Sequence, residues 1–156
     1  MSIQAFPTTQ QERPTAELAA YAADAIVDAL PLLDHRTRMR ALSPEFAPRG
    51  HYLELQDGAE RLYVPLEEQI THIGRGFTAD VRLEQPHVSV SHAILVRHGR
   101  FMRVLDNRSA NGTFVNGRRI VATNLQDGDV VRVGPVAMRY VAISPHSPVL
   151  TALRVD

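Results

Sequence analysis

His51-Tyr52-Leu53-Glu54-Leu55-Gln56 alternates apolar and polar side chains, and Asp57-Gly58 then turns the chain into Arg61-Leu62-Tyr63-Val64. A two-residue period closed by a glycine turn is the signature of a half-buried hairpin. Upstream, residues 16–30 follow the 3.6-residue period of a helix instead. The change of period near residue 50 therefore decides the fold class. Strand-like runs continue at 71–73, 81–83, 92–97, 101–105, 113–115, 118–121, 130–133 and 136–143. Turn signals separate them: His98-Gly99, Asn116-Gly117, Gln126-Asp127-Gly128-Asp129 and Gly134-Pro135. About ten short strands with no helix between them predict a mainly β protein built as a β-sandwich.

Working outward, residues 1–14 are polar and carry Pro7 and Pro14, which predicts a disordered tail. Thr15 can cap a helix over 16–30, with Glu17 in its first turn. On that helix Glu17, Asp24 and Asp28 share one face, while Leu18, Ala22, Ala25, Ala29 and nearby Ile26 and Leu33 line another. The alanine-rich face suits close packing on the sandwich, or on a second copy in a homodimer. Pro31 ends the helix or permits one short turn more, and the basic run His35-Arg36-Thr37-Arg38-Met39-Arg40 extends it. Pro44, Pro48 and Gly50 mark a linker. The expected organisation is a tail over 1–14, a helical extension and linker over 15–49, the sandwich over 50–143 and a trailing tail over 144–156.

The chain has 156 residues, 44% apolar and 22% charged, enough for one domain with a sizeable core. It has no cysteine, so it holds no disulfide framework or thiolate metal site, and it fits a reducing cytoplasm. The longest apolar stretch, 18–33, is broken by Asp24, Asp28 and Pro31 and is too short to span a bilayer. Met1-Ser2-Ile3-Gln4 lacks the basic start of a signal peptide. Neither membrane insertion nor export is expected. The zero net charge hides an asymmetry: residues 1–70 carry 6 Arg against 11 acids, and residues 71–140 carry 10 Arg against 5. The second half therefore projects a positive field suited to an anionic ligand.

That half also holds the polar loop signals. Gly74-Arg75, Ser89-Val90-Ser91-His92 and Ser109-Ala110-Asn111-Gly112-Thr113-Phe114-Val115-Asn116-Gly117 fall within 44 residues. A guanidinium, hydroxyls and an amide on neighbouring loop tips suit the gripping of an anion and the peptide attached to it. Enzymatic readings fare worse. Ser89 and His92 lack the Gly-x-Ser-x-Gly turn of a hydrolase. His87 and His92 have neither cysteine nor a convergent carboxylate to complete a zinc site. Gly74-Arg75-Gly76 is too glycine-poor for a nucleotide loop. No cofactor, metal or catalytic residue is expected. Few aromatics and no lysine stripe argue against nucleic acid.

Five pieces in order carry a family resemblance: Ile73-Gly74-Arg75; Asp80-Val81-Arg82-Leu83; Val88-Ser89-Val90-Ser91-His92-Ala93; Asn111-Gly112-Thr113-Phe114-Val115-Asn116-Gly117; and Leu125-Gln126-Asp127-Gly128-Asp129. With this spacing, residues 50–143 resemble the forkhead-associated (FHA) domain of bacterial proteins, over roughly 60% of the chain. The resemblance implies an eleven-stranded sandwich that binds phosphothreonine peptides on loops at one end. Carried over by position, Arg75 would bond the phosphate or hold the peptide backbone, Ser89 would donate to the phosphate, and Asn111 would bond the peptide main chain. Gly74, His92, Gly112, Thr113, Asn116 and Gly117 would shape the loops, His92 by a bracing hydrogen bond. Thr8 and Thr9 would be candidate regulatory phosphosites, since some bacterial relatives capture such a threonine in their own pocket.

Two positions depart from the family pattern. Val90 and Ala110 stand where side-chain donors are common, leaving only backbone N–H groups. A hydrogen bond to a charged group is worth about 1.5–3 kcal/mol, so the two losses predict weaker phosphate binding. The expected function is a cytoplasmic adaptor for a phosphothreonine-containing protein in serine/threonine-kinase signalling, its partner being the kinase or a kinase substrate. The rival reading is a phosphate-independent interaction scaffold, for instance in a secretion or envelope-associated assembly.

Overall fold

The computed structural model describes residues 32–144. The tail over 1–14, the helix over 16–30 with its dimer face, Thr8, Thr9 and residues 145–156 lie outside the described residues.

Eleven strands form two sheets. They are β1 (Gly50–Asp57), β2 (Glu60–Pro65), β3 (Ile70–Gly74), β4 (Val81–Arg82), β5 (Ala93–His98), β6 (Phe101–Asp106), β7 (Thr113–Val115), β8 (Arg118–Ile120), β9 (Ala122–Leu125), β10 (Val130–Val133) and β11 (Val136–Ile143). The six-stranded sheet has the order β2-β1-β11-β10-β7-β8, and the five-stranded sheet β4-β3-β5-β6-β9. Neighbours are antiparallel except β3 and β4. Alternation sets the layers: Leu53, Leu55, Val64, Val131, Val133 and Met138 point inward from one sheet, and Ile73, Leu95, Met102 and Val104 from the other.

The expected strand over 118–121 forms as β8 over 118–120, and a further strand, β9, follows at 122–125 where none was expected. β8 ends at Ile120, Val121 stands 84% exposed at the crossover, and β9 opens in the opposite sheet. Continuous β propensity from Arg118 to Thr123 conceals this change of sheet.

Residues 32–49 pack against the sandwich. Leu33 is 3% exposed within the core cluster and bridges Leu83 beside β4. The N–H groups of Leu32 and Leu33 donate to the buried carboxylate of Asp57 at 2.6 and 3.1 Å, and Arg38 pairs with the same carboxylate. Asp34 caps a short helix, α1 (His35–Arg40), by accepting from Thr37 N–H at 2.9 Å. Burial alone would raise the Asp34 pKa, but the hydrogen bonds from Thr37 and Arg82 outweigh it and hold the group below its ordinary value. Leu42 then bridges Tyr63 of β2. Proline signals at 44 and 48 marked a change of direction, and the apolar anchors at 33 and 42 keep the segment on the sandwich.

Candidate functional site

The antiparallel run β3-β5-β6, with the two-residue β4 beside the end of β3, brings three connections to one end of the sandwich: β3–β4 (75–80), β4–β5 (83–92) and β6–β7 (107–112). The middle loop is the hub. On one side Arg75 N–H donates to Ser89 O and Gly76 N–H to Val90 O, both at 3.0 Å. Gly74 is required there because a Cβ would lie 2.2 Å from the Val90 carbonyl oxygen. Gly76 leaves room for the Val90 side chain, whose Cγ1 would be 2.6 Å from an added Cβ.

On the other side, Asn107 N–H donates to His92 O at 2.9 Å, and Asn107 Nδ2 to Ser91 Oγ at 2.6 Å. Ala110 N–H donates to Ser89 Oγ at 3.0 Å, and Asn111 Nδ2 to His87 O at 2.9 Å. His92 is fully buried and locks the joint. Ser89 N–H donates to its Nδ1 at 3.0 Å, so that nitrogen carries no proton. Its Nε2 lies 2.9 Å from Gly112 O, which can only accept, so the ring is the neutral Nε2–H tautomer.

These bonds decide what remains for a ligand. Arg75 anchors its guanidinium through Nε on Val88 O at 2.9 Å and is otherwise exposed, with no acceptor for its two Nη groups among the described residues. Ser89 Oγ accepts from Ala110, so its own proton is free to be donated outward. Asn111 is exposed and keeps its Oδ1 and one Nδ2 hydrogen. Of the two backbone donors expected at the departing positions, that of Ala110 is consumed by Ser89, while Val90 N–H has no acceptor among the described residues. A shallow depression of about 540 Å³ lies beside Arg75, lined also by Arg82, Glu84, Gln85 and Pro86.

Two loop residues belong elsewhere than expected. Asn116 and Gly117 turn β7 into β8 at the end of β7 opposite Gly112, about 13 Å away at strand rise. Asn116 adopts a φ of 51° and grips the start of β10, donating to Asp129 Oδ1 at 3.0 Å and accepting from Val130 N–H at 2.9 Å. The resemblance implied that both shape the binding loops, but the strand between them and Asn111 sets them at the other end of β7.

Sequence reasoning missed Asp106 and Arg119, and it quoted Ser109 without giving it a role. Asp106 accepts from Thr113 Oγ1 at 2.7 Å, from Ser109 N–H at 3.2 Å and from the Ser109 hydroxyl, while Ser109 Oγ accepts from Gly112 N–H at 2.9 Å. Burial alone would raise the Asp106 pKa, but the bonds from Ser109 and Thr113 overcome it and lower the value. The spacing Asp106-x-x-Ser109 before a glycine was the available signal for this closed loop. Arg119 on β8 has no comparable signal. Its Nε lies 2.8 Å from where a Gly112 Cβ would be, adding positive charge to the rim.

The family model for the FHA domain matches residues 71–134. A domain solved in a study of phosphothreonine-dependent FHA domain interactions is 35% identical, with a TM-score of 0.56 over 60% of this chain and 97% of its own. Mycobacterium tuberculosis EmbR, solved with a low-affinity phosphopeptide, is 30% identical with a TM-score of 0.56 over 67% of this chain and 27% of its own. The ABC transporter ATP-binding/permease protein Rv1747 of the same organism is 42% identical over 80 residues, 51% of this chain and 9% of its own length. This chain spans only 9–20% of the first curated relatives it matches, so the likeness is one of domain and not of whole protein. With the five motifs in order, the two-sheet body and a solved relative covered almost end to end, the chain belongs to the FHA domain family.

Proposed function

We propose that this chain is a non-catalytic adaptor that binds a phosphothreonine-bearing segment of a partner in a serine/threonine-kinase pathway. The reading rests on one observation above all. Arg75, Ser89 and Asn111 stand on three loops that hydrogen-bond through one hub, each with a donor left for a ligand. A dianion docked there meets a guanidinium, a hydroxyl and the Val90 N–H already in position, so little ordering entropy is lost on binding. The solved relatives studied with phosphothreonine or phosphopeptide support the same ligand class.

The decisive experiment is a titration of the chain with a phosphothreonine peptide library and its unphosphorylated counterpart, alongside Arg75→Ala. Binding only by phosphorylated peptides, weakened about 10-fold or more by Arg75→Ala, is expected. Equal binding of both forms would favour the scaffold reading, in which Val90 and Ala110 mark a pocket no longer used for phosphate.

A further inference from the structure

The outer faces of the two sheets differ in chemistry. On the six-stranded sheet, Glu54 pairs with Arg61 at 3.4 Å and with Arg139 at 3.5 Å, and Arg132 stacks 4.2 Å over Phe114. That face is finished with charge. The five-stranded sheet turns Ile70, Ile94, Val96, Phe101, Leu105 and Ala122 outward, all only partly covered, with Ile70 47% and Phe101 54% exposed. Registration makes these one patch: Ile70 lies opposite Val96, and Ile94 lies opposite Leu105, which in turn lies opposite Ala122. His72, His98, Arg103 and Asn124 share this face, yet its aliphatic residues still form a largely apolar surface of the kind that a second layer covers.

We propose that residues 16–30 of this same chain cover it, as an amphipathic helix laid on the outer face of the five-stranded sheet. Three observations favour this occupant. The first is attachment. Leu33 bridges Leu83, and Glu84 N–H donates to Leu32 O, so the segment before residue 32 leaves the body at β4, the edge strand of that sheet. Only Pro31 separates the anchored residue from the helical run. So short a tether gives an effective concentration on the order of millimolar, which favours self-docking over a second copy at micromolar concentration.

The second is size. Fifteen helical residues span about 22 Å, against about 19 Å across five strands. The third is pattern. Leu18, Ala22, Ala25 and Ala29 form an apolar stripe whose small side chains permit close approach, while Glu17, Asp24 and Asp28 lie to one side of it and can meet Arg103, which stands within the face opposite Val96, and His72, opposite Ile94.

The chain lacks cysteine, so engineered pairs report without background. Ala25→Cys is combined in turn with Ile94→Cys, Val96→Cys and Leu105→Cys in the full chain, and Asp24→Cys with the same three as controls. Each reduced variant is first matched to the parent by circular dichroism. An intramolecular disulfide in at least one Ala25 pair, formed at least 10-fold faster than in its Asp24 control, is expected. Hydrogen exchange provides a second reading: protection of amides 18–30 in the parent should fall at least 10-fold in the doubly substituted Ile94→Asp, Leu105→Asp chain. Disulfides that are only intermolecular would assign the face to a second copy. Equal rates in the Asp24 controls, no disulfide at all, or exchange unchanged by the double substitution would overturn the proposal.

Discussion

Gly74→Ala tests whether two loops of the site are held together by backbone contact. The added methyl carbon would sit 2.2 Å from the Val90 carbonyl oxygen and 2.9 Å from its carbon. A comfortable C···O approach is about 3.3–3.6 Å, so the β3–β4 and β4–β5 loops would have to part by more than about 1 Å. Parting lengthens the bonds from Arg75 N–H to Ser89 O and from Gly76 N–H to Val90 O, both 3.0 Å. Two such bonds are worth about 0.5–1.5 kcal/mol each, and forced overpacking adds about 1–3 kcal/mol. The expected loss is about 2–6 kcal/mol, read from urea unfolding midpoints at unchanged slope. Gly58→Ala supplies the comparison. Gly58 has φ +62° and nothing within 4 Å of an added Cβ, so only the left-handed backbone cost of about 1–2 kcal/mol applies. If Gly74→Ala proved the milder of the two, the close-approach argument would fail, and with it the claim that Arg75 is carried by the Ser89 loop.

His92→Ala should destabilise the chain by about 2–4 kcal/mol in the same assay, because Ser89 N–H and Gly112 O lose their shared partner inside the protein. A loss under about 0.5 kcal/mol would contradict the bracing role. Asp106→Ala should cost about 2–3 kcal/mol near neutral pH, since it orphans Ser109 and Thr113. Its pKa is lowered on folding, so the unfolded chain binds the proton more tightly. The stability it supplies is present above the unfolded value and is lost as pH falls through the folded one. The gap between parent and variant should therefore close in acid, and a gap constant with pH would refute the assignment. Leu33→Ala should cost about 2–5 kcal/mol, as for any core leucine, whereas a negligible change would return residues 32–49 to the status of a linker.

Much of the architecture is legible in one dimension. Alternation at 51–56 and the turn residues that follow report local geometry, because a strand shows its buried side every second residue wherever its partner lies. The loop tips carrying Arg75, Ser89 and Asn111 stand out for the same reason: polar and glycine-rich pieces interrupt apolar runs. Periodicity says nothing of which strand ends meet, since that follows from sheet order and direction. Antiparallel β5 and β6 bring the loops before and after them to one rim, and three residues of β7 carry Asn116 to the opposite end. Leu33 reads as one more apolar residue of a helical run, and only contact with Leu83 and Asp57 makes it core. The Ala110 N–H likewise reads as free until the β6–β7 loop folds against Ser89. What each residue prefers is thus written locally, and what each donor has left to offer is decided by neighbours dozens of residues away.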